Sequence, residues 1–174
     1  MKNLFFAVMI SVLGIIGFVA FKFLNETRTS PKSSSNYKSE ELKLKVDYSR
    51  PYKRGRTIFG GLVPYGEYWR TGADEATEIV FYQDVNFGGE QVDEGRYRLF
   101  TFPGTETWTV VLNSELSQWG AFEPNYELDV ARIEVPIEKT KNSLEQLLID
   151  FEDGQAGAIL VIAWDNVKAE VLIQ

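Results

Sequence analysis

The sequence has no histidine and no cysteine. These two absences remove whole classes of chemistry. A Ser-His-Asp triad, a Cys-His pair and a thiolate nucleophile cannot be assembled from this chain. No disulfide can form, and the usual zinc, copper and haem ligand sets are missing, so no cofactor is implied. Positive charge is also scarce. Eighteen Lys and Arg stand against 25 Asp and Glu, a net charge of −7 over 174 residues. A general nucleic-acid binder needs a basic face, so nucleic acid is not an expected partner. The length suits one domain of ordinary size plus accessories.

What is present begins with an apolar run, Leu4 to Phe21, diluted only by Ser11, Gly14 and Gly17. As a helix it spans roughly 27 Å, close to one hydrocarbon core. A cleaved signal has a shorter apolar stretch ending in small residues at −3 and −1. Ala20 fits −1, but Phe18 is too large for −3. Residues 1–24 are therefore expected to be an uncleaved membrane anchor, with a signal segment as the rival reading and a buried core helix third. Orientation is contested. Lys2 lies before the run, and Lys22, Arg28, Lys32 and Lys38 lie after it. That count points the C-terminal part inward. A short tail before a first apolar segment is also the form of an export signal, and on that ground the globular part is expected outside, in a periplasm or at a cell surface.

Asn25 to Ser39 is rich in Ser and Thr and almost free of apolar residues. Such a composition cannot pack a core and predicts a flexible linker over 25–39. The domain is then 40–174, long enough for a sizeable core. Its charge is uneven. Lys43 to Arg70 holds seven basic and two acidic residues; Thr71 onward holds six basic and 20 acidic. Either the basic segment lies against an acidic body, or it forms a basic mouth for an anionic ligand.

Period-two patterns predict strands. Leu42, Leu44, Val46 and Tyr48 alternate with Lys43, Lys45 and Asp47. Thr77 to Val85 is rich in β-branched and aromatic residues. Turns at Asn86-Phe87-Gly88-Gly89 and Asp93-Glu94-Gly95 precede a strand from Arg96 to Phe102. Pro103-Gly104 breaks that strand, and Trp108, Val110 and Leu112 continue in the next. Val130 to Ile137 alternates, with Pro136 suggesting a strand end or edge. Leu144 to Phe151 also suits a helical face but is read as a strand ending at the Asp153-Gly154 turn. Gly157 to Trp164 and Val167 to Ile173 flank Asp165-Asn166, a candidate two-residue hairpin loop. About eight short strands and no soluble helix imply an all-β fold, an antiparallel sandwich or barrel, of which the β-sandwich is preferred. Arg50 to Ala76 lacks periodicity and carries five glycines, Pro51 and Pro64. A loop that long inside a compact domain is often functional.

The same stretch carries a resemblance. Tyr48-Ser49-Arg50-Pro51, Gly55-Arg56 with Ile58 to Gly66, and Trp69-Arg70-Thr71-Gly72-Ala73-Asp74-Glu75-Ala76-Thr77 are joined by further marks. These are Gly95 and Tyr97 before Leu99 to Pro103, Trp108-Thr109-Val110, and Asn113 ahead of Trp119-Gly120. Over most of residues 42–174 the chain resembles the bacterial family catalogued as domain of unknown function 2911. It departs at Asp74, where the family usually reads Asn. The resemblance implies an exported β-rich domain and no activity.

Trp69-Arg70-Thr71 with Glu75 is the densest polar-aromatic cluster. A Trp face stacks on sugar rings, and an Arg fork clamps carboxylate or phosphate. Arg50, Trp69, Arg70, Thr71 and Glu75 are the expected ligand-binding residues. The competing reading pairs Arg70 or Arg50 with Glu75 or Asp74 to pin the loop, with Trp69 as core filler. Carboxylates are the only plentiful acid-base groups, so a glycosidase-like hydrolase is the catalytic alternative, pairing Asp74 or Glu75 with Glu123 or Asp129. Asp150 to Gly154 lacks the EF-hand pattern and reads as a solvated turn. Phe87-Gly88-Gly89 lacks the lysine and helix of a phosphate loop. The aromatic loop Trp119 to Tyr126 either walls a carbohydrate cleft or plugs one end of the sandwich, and the plug is preferred. The leading expectation is a membrane-tethered binding or interaction module for an anionic or sugar ligand, or a protein partner. A purely structural envelope protein is the third reading.

Overall fold

The computed structural model of the chain describes residues 13–17, 30–116 and 119–174. The chain divides into two compact units, Met1–Ser30 and Pro31–Gln174. In the first, residues 13–17 are helical. The rest of the expected span Leu4–Phe21 lies outside the described residues. Among the described residues no helix is long and apolar enough to cross a membrane.

The second unit is mostly antiparallel β-sheet, with one 3-10 turn at Tyr126–Leu128. Its strands are β1 (Lys32–Lys38), β2 (Lys43–Ser49), β3 (Thr77–Phe81), β4 (Val85–Phe87), β5 (Glu90–Val92), β6 (Gly95–Pro103), β7 (Thr107–Asn113), β8 (Asp129–Gly154) and β9 (Gly157–Ile173). They hydrogen-bond in the order β1-β2-β3-β6-β7-β8-β9-β4-β5. Alternation sets the faces: Leu44, Val46 and Tyr48 of β2 are buried, as are Ile79 and Phe81 of β3 and Val110 and Leu112 of β7. A single core joins these residues to Leu147 and Ile149 of β8 and to Leu160, Ile162, Trp164, Val171 and Ile173 of β9. The sheet therefore folds over on itself. Tyr48 Oη accepts from the Ile149 amide at 3.0 Å, and Tyr37 Oη donates to Asp153 at 3.0 Å, linking β1 and β2 to the far half of β8.

Three expectations are corrected here. The linker expected over 25–39 contains β1, paired with β2 from Lys32↔Ser49 to Lys38↔Lys43. Its composition hid it, because an edge strand buries little. Only Tyr37 brings a large apolar surface, against Phe151 with ring centroids 6.3 Å apart. Second, Pro136 does not end β8. It stands opposite Thr107, the first residue of β7, so the β7 ladder stops there while pairing to β9 continues through Ile137↔Ala169. Third, Asp165-Asn166 does not close a two-residue hairpin. A type I′ turn needs positive φ at both central residues. Asp165 has φ +53°, whereas Asn166 is not among the positive-φ residues. Instead β9 runs on along β8 through a register shift between Lys139 and Leu144. The corner still turns the chain back. A Cβ on Gly157 would lie 2.1 Å from the Ile173 carbonyl oxygen, so the two arms of β9 converge. The β8–β9 reversal itself is Gln155-Ala156, between the Gly154↔Gly157 pair.

Candidate functional site

The segment between β2 and β3 is stitched to its surroundings rather than free. Trp69 exchanges two backbone hydrogen bonds with Thr101, each 2.9 Å, and the Gly66 amide bonds Pro103 O at 2.8 Å. The Tyr52↔Gln146 bridge holds its start against β8. Of the five expected site residues, Trp69 is buried and stacked on Trp164 at 6.0 Å and 18°, with Trp108 edge-on at 6.0 Å. Thr71 is fully buried at φ +53°. Its hydroxyl lies 2.9 Å from that of Thr101, and its carbonyl accepts from Thr77 Oγ1 at 2.9 Å. Arg50 Nε donates to Leu147 O at 3.0 Å. These three hold the segment to the core and do not face a common opening. Arg70 is half-buried, and its stem packs on Gly120. Glu75 alone reaches a cleft.

That cleft encloses about 710 Å³. Strand alternation places Lys32 and Ser34, Asp47 and Ser49, and Glu78 on the face turned away from the core, and the cleft lies over them. Trp119 and Glu75 with Ala76 form its rim. Trp119 is 52% exposed, while Trp69, Trp108 and Trp164 are all buried. The aromatic loop thus walls a cleft instead of plugging an end, and its far side covers the outer face of β6. There Phe100 and Phe102 pack on Tyr126 at 6.1 and 6.0 Å, and Tyr68 packs on Phe100 at 5.3 Å. Asn113, fully buried, organises the loop. It donates to Asn125 O at 2.9 Å and Asp129 at 2.8 Å, and accepts from the Glu115 amide at 2.8 Å.

The charges of the cleft are paired. Asp47 and Glu78 stand directly opposite each other on β2 and β3. Like charges so placed repel. Each is compensated by a neighbour on its own side: Lys45 Nζ is 2.8 Å from Asp47, and Arg96 is 2.6 Å from Glu78. Lys32 and Glu75 pair at 2.8 Å across the rim. Burial pushes Asp47 up, but hydrogen bonds from Lys45 and Ser34 outweigh it and hold the carboxyl below its usual range. The Lys32 hydrogen bond lowers Glu75 in the same direction. Glycoside hydrolysis needs one carboxyl kept protonated. The surroundings of Asp47 and Glu75 favour the carboxylate, so neither is built as that acid. No group of three carboxylates among the described residues is arranged to hold a metal ion. Within Asp150 to Gly154, Asp150 bonds Ser35 and Asp153 bonds Tyr37, so the acids there hold β1.

The basic segment forms no mouth. Lys53 pairs with Asp165 at 2.6 Å, Arg56 bonds the Lys53 and Tyr52 carbonyls, and Lys43 sits over the Tyr82 ring at 3.9 Å. Sequence reasoning missed Lys32, Ser33 and Ser34, which lay in the supposed linker, and Asp47, Ser49 and Glu78, which strand alternation turns away from the core. The Trp119-Gly120 pair was the visible signal of the wall.

The family model described as "Protein of unknown function (DUF2911)" matches residues 30–173, and the chain belongs to this family. The match begins ahead of β1. No curated protein and no solved structure matches the chain.

Proposed function

We propose that this chain is a membrane-tethered, extracytoplasmic binding module. On this reading the folded-over sheet is a β-sandwich, and its ligand site is the outer-face cleft under Trp119. The observation that carries the reading is the exposed Trp119 ring at the rim of a cleft lined by Ser33, Ser34, Ser49 and three carboxylates. An indole face stacks on a pyranose ring, and carboxylates and hydroxyls accept and donate to sugar hydroxyls. Lys32, the cation among the lining residues, is already paired with Glu75, and Lys45 and Arg96 pair with Asp47 and Glu78, so the lining offers an anionic ligand no unpaired positive charge. The ligand class is therefore neutral, ring-bearing and rich in hydroxyls.

Thermal unfolding of the full chain against neutral oligosaccharides, sugar acids and phosphate esters tests the ligand class. Neutral oligosaccharides should raise Tm, and Trp119→Ala should abolish the shift. A ligand at one hundred times its Kd stabilises by about 2.7 kcal/mol, which is readily visible. A shift from sugar acids or phosphate esters alone overturns the proposed class. The tether and compartment rest on the length and composition of the apolar run at Leu4–Phe21. Because the chain lacks cysteine, Asn142→Cys creates a single exposed thiol. It should react with a membrane-impermeant maleimide in intact cells, or in osmotically opened ones if the domain is periplasmic. Reaction only after lysis of the inner membrane places the domain inside.

A further inference from the structure

Arg98, in the middle of β6, is 1% exposed and has no carboxylate partner among the described residues. It points away from the main core, into the space between β6 and the aromatic loop. Its Nη2 donates to Phe122 O at 2.5 Å and to Gly120 O at 3.3 Å, and it also meets the Tyr68 hydroxyl. Nε and Nη1 have no hydrogen-bond partner among the described residues. A buried guanidinium bound only to carbonyls and a phenol is an expensive way to hold a loop, since an apolar side chain of similar volume usually packs there at no loss of stability. What an apolar side chain lacks is direction. Arg98 takes hold of the two carbonyls that bracket Ala121.

The rest of the turn converts that grip into a position for Trp119. The Phe122 amide donates to Trp119 O at 3.0 Å, closing residues 119–122 as one turn. Tyr68 Oη donates to Gly120 O at 2.9 Å. Gly120 lies flush on the rim of the cleft: a Cβ there would be 2.8 Å from Ala76 N and from Glu75 C. The turn is thus drawn down by Arg98 and Tyr68 and stopped by the Glu75–Ala76 backbone, leaving Trp119 at the cleft.

We propose that Arg98 is the positioning residue of the ligand site, fixing the indole of Trp119 over the cleft by holding the Gly120 and Phe122 carbonyls. The proposal rests on the ligand site named above, and its test separates the two. The full chain is labelled with 5-fluorotryptophan, and the Trp119 resonance is assigned by its loss in Trp119→Phe. In Arg98→Met the Trp119 line should move toward the solvent-exposed position and sharpen. The lines of Trp69, Trp108 and Trp164 should stay, and Tm should hold or rise. Titration with N-acetylglucosamine oligosaccharides should show at least a tenfold loss of affinity relative to the native chain. An unmoved Trp119 line with a retained Tm overturns the proposal, as does undiminished affinity. If Arg98→Met does not fold, Tyr68→Phe removes one hydroxyl from the same grip and should move the Trp119 line in the same direction; no movement overturns the proposal. A flat titration of the native chain with a displaced Trp119 line in Arg98→Met sinks the ligand reading and leaves the positioning role supported.

Discussion

Asp165 shows how one residue combines conformation and charge. It sits at φ +53° at the corner of β9. Its carboxylate takes Lys53 Nζ at 2.6 Å and Ser143 Oγ at 2.7 Å, with Lys53 Nζ 3.1 Å from the same hydroxyl. Burial raises this carboxyl, yet the hydrogen bonds from Lys53 and Ser143 prevail and lower it. A carboxyl with a depressed folded pKa adds stability above its unfolded value of about 3.9 and loses it as pH falls through the folded value. Asp165→Asn keeps the left-handed backbone comfortable, because Asn tolerates it. The variant should be about 1–2 kcal/mol less stable at pH 7. The gap to the native chain should close as pH falls below about 4, which denaturant titrations across that range will show. The sequence displayed Asp165-Asn166 as a turn signal, whereas β9 runs on through both residues with a corner at Asp165. Its type was not legible, because the choice between hairpin and corner depended on Lys53 and Ser143, distant in sequence.

At the scale of elements, the strands with alternating apolar residues were legible, and β1 was not. β2, β3, β6 and β7 each put large side chains into the core, and their alternation follows from that burial. β1 lies at the end of the sheet and is held chiefly by backbone pairing to β2, with Ser35 and Tyr37 reaching Asp150 and Asp153. An edge strand of that kind has no hydrophobic pattern to read. Lys32 and Lys38 at its two ends suit an edge that must not recruit another strand. A chain starting at Ser30 should therefore be more stable than one starting at Glu40, by about 5 °C in Tm or more. Hydrogen exchange should show slow β1 amides where they face β2. Equal stability of the two chains, with fast exchange over 32–38, would restore the flexible linker. The candidate site suffered from the same blindness, since Lys32, Ser33 and Ser34 supply one side of the cleft.

For the molecule as a whole, the charge asymmetry was visible and its meaning was not. The basic segment after β2 is spent on internal partners such as Asp165, Leu147 O and Tyr52 O. The open cleft is left lined by paired charges and serines, with one wall made by an aromatic ring. Trp69 and Trp119 illustrate why composition could not separate core from site. Both are followed by polar or small residues, but Trp69 is caught in the Trp108–Trp164 cluster, whereas Trp119 stands at the cleft rim on a turn whose carbonyls bond Arg98 and Tyr68. Which tryptophan faces solvent is decided by long-range packing. The molecule carries its own optical probe, because three of the four tryptophans are buried. The most direct measurement is therefore the tryptophan emission of the full chain during titration with neutral glucose and N-acetylglucosamine oligosaccharides. The account predicts a saturable change in emission that disappears in Trp119→Phe and persists in Trp69→Phe if that variant folds. No change up to about 10 mM of any oligosaccharide, well past the millimolar range of weak sugar binding, would contradict it.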